Sequence, residues 1–226
     1  MANKGFKVGI VDLDICGPSI NGMMKIKDPT IVMTNWGWKP CESPHYKIKV
    51  VSVASLLGSK ENAVIYKGPR KTNLIKKILK ETYWGRLDYL IFDTPPGTSD
   101  EHLTIIKFLK TLKLDGALLV STPQKLSVNC LRREITFCRK MRLNVIGLIE
   151  NMSYLKCSCC NEKTQLFPKN ECKEIADLNK IEFLGDMPFN KGICKYFDDF
   201  EKTEQNTDLL DIINPFVETI MNLIKK

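Results

Sequence analysis

Apolar residues in this chain recur in two rhythms. Short runs, apolar at most positions, occupy residues 7–14 (KVGIVDLD), 89–93 (YLIFD), 115–121 (DGALLVS), 144–150 (NVIGLIE) and 181–187. Residues 47–54 (KIKVVSVA) instead alternate polar and apolar. Between these runs lie longer stretches with apolar residues three or four apart. They are 70–82, where Leu74, Ile75, Ile78 and Leu79 share a face, then 99–109, 127–141, 171–179 and 208–224. The first rhythm predicts strands and the second amphipathic helices. Ser99 or Asp100 is placed to cap the helix that starts there.

Short apolar strands separated by amphipathic helices belong in a parallel sheet covered on both faces. Right-handed crossovers then give a doubly wound, mostly parallel α/β fold. Ligand sites in such folds lie beyond the carboxyl ends of the strands. Acidic, Gly and Pro residues gather at those ends: Asp14, Asp93-Thr-Pro-Pro-Gly97, Thr122-Pro-Gln124 and Asn151. No linker or repeat breaks the pattern, so residues 1–226 read as a single domain. The least regular stretch, 154–170, reads as a loop or small hairpin.

Composition narrows the class. At 43% hydrophobic over 226 residues the chain can bury a sizeable core. No apolar run reaches the roughly 18 residues of a membrane span, and the first residues lack a secretory leader pattern. The expectation is a cytoplasmic protein without a membrane partner. The net charge is +8, but its densest stretches, 67–80 and 132–142, have helical periodicity and read as solvated faces. No nucleic-acid motif accompanies them. Nine cysteines, an odd number, do not form a disulfide framework. Cys16, Cys130 and Cys138 read as small core residues. His45 and His102 read as packing or surface residues. Trp36, Trp38 and Trp84 could anchor an interface or pack in the core.

Three patterns carry chemistry. Leu90-Ile-Phe-Asp93 followed by Thr-Pro-Pro-Gly97 ends a strand on a carboxylate, as a magnesium-holding acid requires. Asp12 and Asp14 end another strand, and Asp14 would point to the same crevice, to position a water or a metal-bound water. Cys157-Ser-Cys-Cys160 spaces two thiols to meet one metal or one cluster corner. Two sulfurs are half of a four-sulfur site, which suggests a site shared between subunits. An intrachain zinc site completed by Cys172 or Cys194, or plain surface thiols, are the other readings. Cys159 would point away from the shared position as a free thiol.

The segments VDLDICGPSI, YKGPRKTNLIKKIL, YWGRLDYLIFDTPPGTSDEHLTI, STPQKLSVNCLRREITFCRK and IENMSY, with the Cys-x-x-Cys after them, resemble in order the Mrp/nucleotide-binding-protein family of P-loop NTPases. Its closest members by this resemblance are the eukaryotic cytosolic scaffolds of iron–sulfur cluster assembly, and the larger of that pair. The resemblance implies a P-loop NTPase fold, ATP and Mg²⁺ as ligands, and ATP hydrolysis. It implies a [4Fe–4S] cluster bridged between two subunits by Cys157 and Cys160 and passed to cytosolic and nuclear apo-proteins. Pairing would be a homodimer or a heterotetramer with a sister scaffold. Asp14 resembles the switch I aspartate, Asp93 the Walker B aspartate, and Asn151 a residue that contacts the base. A partitioning or positioning ATPase of the same fold, or a non-catalytic remnant that binds an intact relative, are the alternatives. The family's Gly-Lys-Gly-Gly-Val-Gly-Lys-Ser/Thr loop does not occur in these 226 residues, nor does the larger scaffold's four-cysteine N-terminal extension. The opening residues match the family's second strand, so the fold is expected to be truncated before it. Gly68-Pro-Arg-Lys71-Thr72 is no substitute, because Pro69 removes an amide that a phosphate cradle needs.

Overall fold

The structure, a computed structural model, describes residues 1–56, 68–112, 114–157, 159–167, 171–198 and 207–225. Tyr66 and Lys67 of the quoted segments, and Ser158 and 168–170 of the cysteine segment, lie outside the described residues. The chain divides into two compact units, one of Met1–Leu112 with Phe197–Thr203, the other of Lys113–Tyr196 with Glu204–Lys226.

In the first unit, β1 (Val8–Asp12) leads through a turn into the short α1 (Ile20–Met23). A hairpin follows, β2 (Val32–Thr34) with β3 (Gly37–Lys39), then β4 (Cys41–Glu42), β5 (Lys49–Ser52), α2 (Gly68–Glu81), β6 (Tyr89–Asp93) and α3 (Asp100–Leu109). The sheet order is β4-β5-β1-β6. Strand β1 runs parallel to both β5 and β6, and β4 is antiparallel to β5. The core joins Val8 and Val11 of β1, Val50 and Val51 of β5, Ile75 and Ile78 of α2, and Ile105, Ile106 and Leu109 of α3, all buried. The apolar stripe read at 70–82 is therefore the buried face of α2. The register sets Asp12 beside Ser52 on one neighbour and beside Asp93 on the other.

Gly37 shows why the β2–β3 hairpin tolerates little change. Its φ is +119°, and a Cβ there would collide with the backbone carbonyl of Glu81. The hairpin thus lies against the end of α2, where Tyr83 N–H also donates to Trp38 O (2.9 Å).

In the second unit, β7 (Ala117–Ser121), α4 (Lys125–Lys140), β8 (Val145–Lys156), β9 (Lys163–Gln165), α5 (Glu171–Asn179), β10 (Phe183–Pro188), most of α6 (Lys191–Asp198) and α7 (Thr207–Ile224) follow in turn. The sheet order is β10-β8-β7, all parallel, with β9 antiparallel to β8. Its core joins Leu119, Leu148, Val128, Leu131, Ile135, Cys138, Cys172, Ile175 and Ala176.

The expectation of a mostly parallel α/β fold holds. Differences arise at particular strands. Strands β6 and β7 were expected to be buried, yet Ile91 is 43% and Val120 54% exposed. Each lies at the side of its sheet, so its cover is incomplete. Strand β8 was expected to end at Glu150 but continues to Lys156, because Tyr154, Leu155 and Lys156 pair with β9. The strand absorbs an irregularity on the way: Met152 has φ +54°, and the register against β10 shifts between Asp186 and Pro188.

Candidate functional site

At the carboxyl ends of β1 and β6 three carboxylates come together. Asp12 is fully buried. It accepts hydrogen bonds from Ser52 Oγ (2.9 Å), Ile20 N (3.3 Å) and Asp14 N (3.2 Å). Burial raises its pKa against these bonds, and the Asp14 charge adds to the rise. Asp93 is half-buried, and burial together with the charges of Asp12 and Asp14 raises its pKa too. Asp14 Oδ1 accepts from Cys16 N (3.0 Å) and Gly17 N (3.1 Å). The two predicted acids, Asp14 and Asp93, are thus brought into electrostatic contact through Asp12. Like charges held this close favour either a proton or a divalent cation. The cluster fits Mg²⁺ in its donor chemistry. It does not fit nucleotide phosphates in the same way, because the turn's amides at Cys16, Gly17 and Ile20 are already donated to Asp14 and Asp12.

Sequence reasoning missed two supports of this cluster. Asp12 was read only as one of a strand-end pair, yet it is the hub. His102, read as packing or surface, is buried and fixes the turn after Asp93. Ser99 N–H donates to its Nδ1 (3.1 Å), and its Nε2–H donates to Pro95 O (2.9 Å). A ring that accepts at one nitrogen and donates at the other is neutral, and burial lowers its pKa accordingly. The only available signal was its position three residues after Ser99, where it completes a capping box. Cys16 and Cys130, expected in the core, are exposed; Cys138 is buried as expected. Cys16 stands on the polar turn held by Asp14, and Cys130 on the solvent face of α4.

The cysteine segment is a hairpin between β8 and β9. Cys157 N–H donates to Glu162 O (2.9 Å), and Asn161 N–H to Cys157 O (3.0 Å). Asn161 takes φ +59°, which an asparagine tolerates in a turn. The Cys157 sulfur is held by the amides of Cys160 and Cys159 and then by their side chains, which bring its pKa down to about 7. Cys159 acts on the Cys157 sulfur chiefly through its amide, with its side chain the smaller contribution. Cys157, Cys159 and Cys160 are all exposed.

Cys172 is fully buried in the core, and its thiol donates to Thr122 O (3.6 Å). Burial and the adjacent Glu150 push its pKa up to about 12. Cys172 thus stands inside the core, whereas Cys157 and Cys160 are exposed. Among the described residues no three His, Cys, Asp or Glu side chains gather as a preformed metal site, Asp12, Asp14 and Asp93 included, so Mg²⁺ beside these acids would need nucleotide oxygens and water to complete its shell. Asn151 is half-buried in β8, with its Oδ1 accepting from Met152 N (2.9 Å). It belongs to the unit of the cysteines, whereas Asp14 and Asp93 belong to the other.

A family profile described as the ParA-type "NUBPL iron-transfer P-loop NTPase" matches residues 1–224. The chain belongs to this ParA/NUBPL family of P-loop NTPases. Among ParA/NUBPL relatives it is similar to the cytosolic Fe-S cluster assembly factor NUBP2 homolog of Nematostella vectensis. The two are 42% identical over 99% of this chain and 82% of that protein. The nubp2 factor of Danio rerio is 39% identical over 97% of this chain and 84% of that protein. These relatives bear the NUBP2 name, and the finer expectation of the larger scaffold of the pair is not carried by them. Among solved structures, the nucleotide-binding protein of Archaeoglobus fulgidus, a complex with ADP, superposes with TM-score 0.76. It is 34% identical and covers 90% of this chain and 77% of that one. The cell division ATPase MinD of Pyrococcus furiosus, 17% identical with TM-score 0.64 over 98% of this chain and 88% of that one, shares the fold.

Proposed function

We propose that this chain is a cytoplasmic scaffold on which a [4Fe–4S] cluster is assembled and from which it passes to apo-proteins. Membership of the ParA/NUBPL family and relatives named cytosolic Fe-S cluster assembly factors support this reading. The observation that carries it is the exposed hairpin at the end of β8, where turn amides hold the Cys157 sulfur near its thiolate form.

In this reading the cluster is cargo. Cys157 and Cys160 supply two of its thiolates, and the same pair on a second subunit, its own copy or a sister scaffold, supplies the other two. Surface placement and only two ligands per chain keep the cargo exchangeable. Asp14 and Asp93, joined through Asp12, would hold the Mg²⁺ of a nucleotide; for Asn151 a base-contacting role is what the family resemblance implies. Bound nucleotide would supply the free energy difference between holding and releasing states. Within the residues described, the contribution of this chain is the acidic cluster and its orienting bonds from Ser52 and the turn amides.

The test is anaerobic reconstitution of the chain with iron and sulfide, beside a Cys157→Ser/Cys160→Ser variant. The scaffold reading expects visible thiolate-to-iron absorption on a dimer and its loss in the variant. A colourless monomer, or colour that survives the double substitution, rejects it. A partitioning ATPase would not need either cysteine.

A further inference from the structure

The turn that carries Asp14 has a second chemical feature, separate from the carboxylates. Cys16 is exposed and in no disulfide. Its sulfur lies 3.4 Å from Nζ of Lys71, on the first turns of α2. The same Nζ lies 3.3 Å from Oε1 of Glu101, on the first turn of α3. Thiol, amine and carboxylate thus stand in a row across three elements of one unit. The amine is near enough to the sulfur to react after a small torsion of a flexible side chain, and the carboxylate holds it there.

We propose that Cys16 and Lys71 form a peroxide-responsive modification site that closes to a covalent Cys16–Lys71 sulfenamide. Hydrogen peroxide delivers one oxygen to the Cys16 sulfur; its O–O bond breaks, one water leaves, and sulfenic acid forms. The Lys71 ammonium gives one proton to solvent. The neutral Nζ then attacks the sulfur, the S–N bond forms and the S–O bond breaks. The departing hydroxide takes the second amine proton and leaves as water. One thiol, one amine and one peroxide give one sulfenamide and two waters. Sulfur loses two electrons and the peroxide gains them. Sulfenic acid condensing with a nitrogen in this way is established cysteine chemistry, and a second thiol reverses it through a disulfide. The link would pin the turn bearing Asp14 to α2, so an oxidant would act on the acidic cluster as well as on the exposed thiols of the cysteine hairpin.

The experiment treats the full chain with hydrogen peroxide, quenches it, and maps peptides by mass spectrometry without reductant. The expected product joins the Cys16 and Lys71 peptides at a mass about 2 Da below their sum, and dithiothreitol separates them. It disappears in Cys16→Ser and in Lys71→Arg. In Lys71→Arg, which keeps the charge, Cys16 should instead be trapped as sulfenic acid by dimedone. Cys130 and Cys194, also exposed, report ordinary surface oxidation in the same digest. Cys16 oxidised to sulfinic acid with Lys71 free overturns the proposal. So does a Cys16 no more oxidised than Cys130. A link about 14 Da above the peptide sum would retain oxygen between sulfur and nitrogen and would also overturn it. The mapping needs neither iron nor nucleotide, so its outcome stands apart from the scaffold reading.

Discussion

The acidity of Cys157 gives the sharpest test of the hairpin. Its pKa is brought from an ordinary 9.0 to about 7 by the amides of Cys160 and Cys159, with their side chains assisting. At pH 7 a thiol with pKa about 7 is roughly half thiolate, against about 1% for the ordinary value, a gain of about fiftyfold. Each thiolate is also less nucleophilic. With a Brønsted coefficient of about 0.4–0.5, two pKa units reduce its attack on a disulfide about six- to tenfold. Folded Cys157 should therefore react with an aromatic disulfide roughly five to eight times faster than the unfolded chain at pH 7. The rate should level off about two pH units earlier. The assay follows the Cys157 peptide by mass spectrometry across pH 5–10, native and in urea. A Cys159→Ser/Cys160→Ser background removes competing thiols and keeps both amides and a side-chain donor at each position. Coincident native and unfolded profiles would refute the argument that the turn amides hold the thiolate.

Four further outcomes follow from the packing and the acidic cluster. Asp12 and Asp93 have raised pKa values in the fold, so the folded state binds the extra protons. Their stabilisation is full below the unfolded carboxylate value of about 3.9 and is lost as pH rises through the folded values. Metal-free protein should lose thermal stability on going upward from about pH 4, and Mn²⁺ should restore it. Asp93→Asn should stabilise the metal-free protein at pH 7 by on the order of 1 kcal/mol or less and weaken the Mn²⁺ effect; a fall in Tm would contradict the charge-crowding account. Gly37→Ala, forced to φ +119° against the Glu81 carbonyl, should cost about 1–3 kcal/mol in urea unfolding. A cost under about 0.5 kcal/mol would mean that the hairpin does not depend on that approach. Leu148→Ala, which empties a fully buried position of the β8 core, should cost roughly 2–5 kcal/mol, and an unchanged urea midpoint would show that the second unit does not rest on that core.

The parts legible in the sequence were those whose partners lie nearby along the chain. The helices α2, α3, α4, α5 and α7 were visible because their apolar spacing is local. Asp14 and Asp93 were visible because acids at strand ends stand out against apolar runs. Asp12 was not seen as a hub, since its partner Ser52 lies forty residues away on a strand whose register only the fold decides. His102 was missed because it serves two backbone groups, which leave no trace in residue identity. The β2–β3 hairpin was hidden because its strands are three residues each, too short for a periodic signal. The full reach of β8 was hidden by Asn151-Met-Ser, which reads as a break but is taken up by a left-handed residue at Met152 within the strand.

The length of β8 has a consequence for how the protein would live with its cargo. Leu148 and Ile149 are anchored in the interior, and Cys157 stands eight residues beyond Ile149, at most about 27 Å away at strand rise. A small zinc domain folds around its ion and collapses without it. Here the thiols sit at the tip of an arm whose base is held by apolar packing and by pairing with β7 and β10. Emptying or refilling the tip leaves that packing in place, so delivery of the cargo need not cost the carrier its fold, and one polypeptide can serve through many rounds.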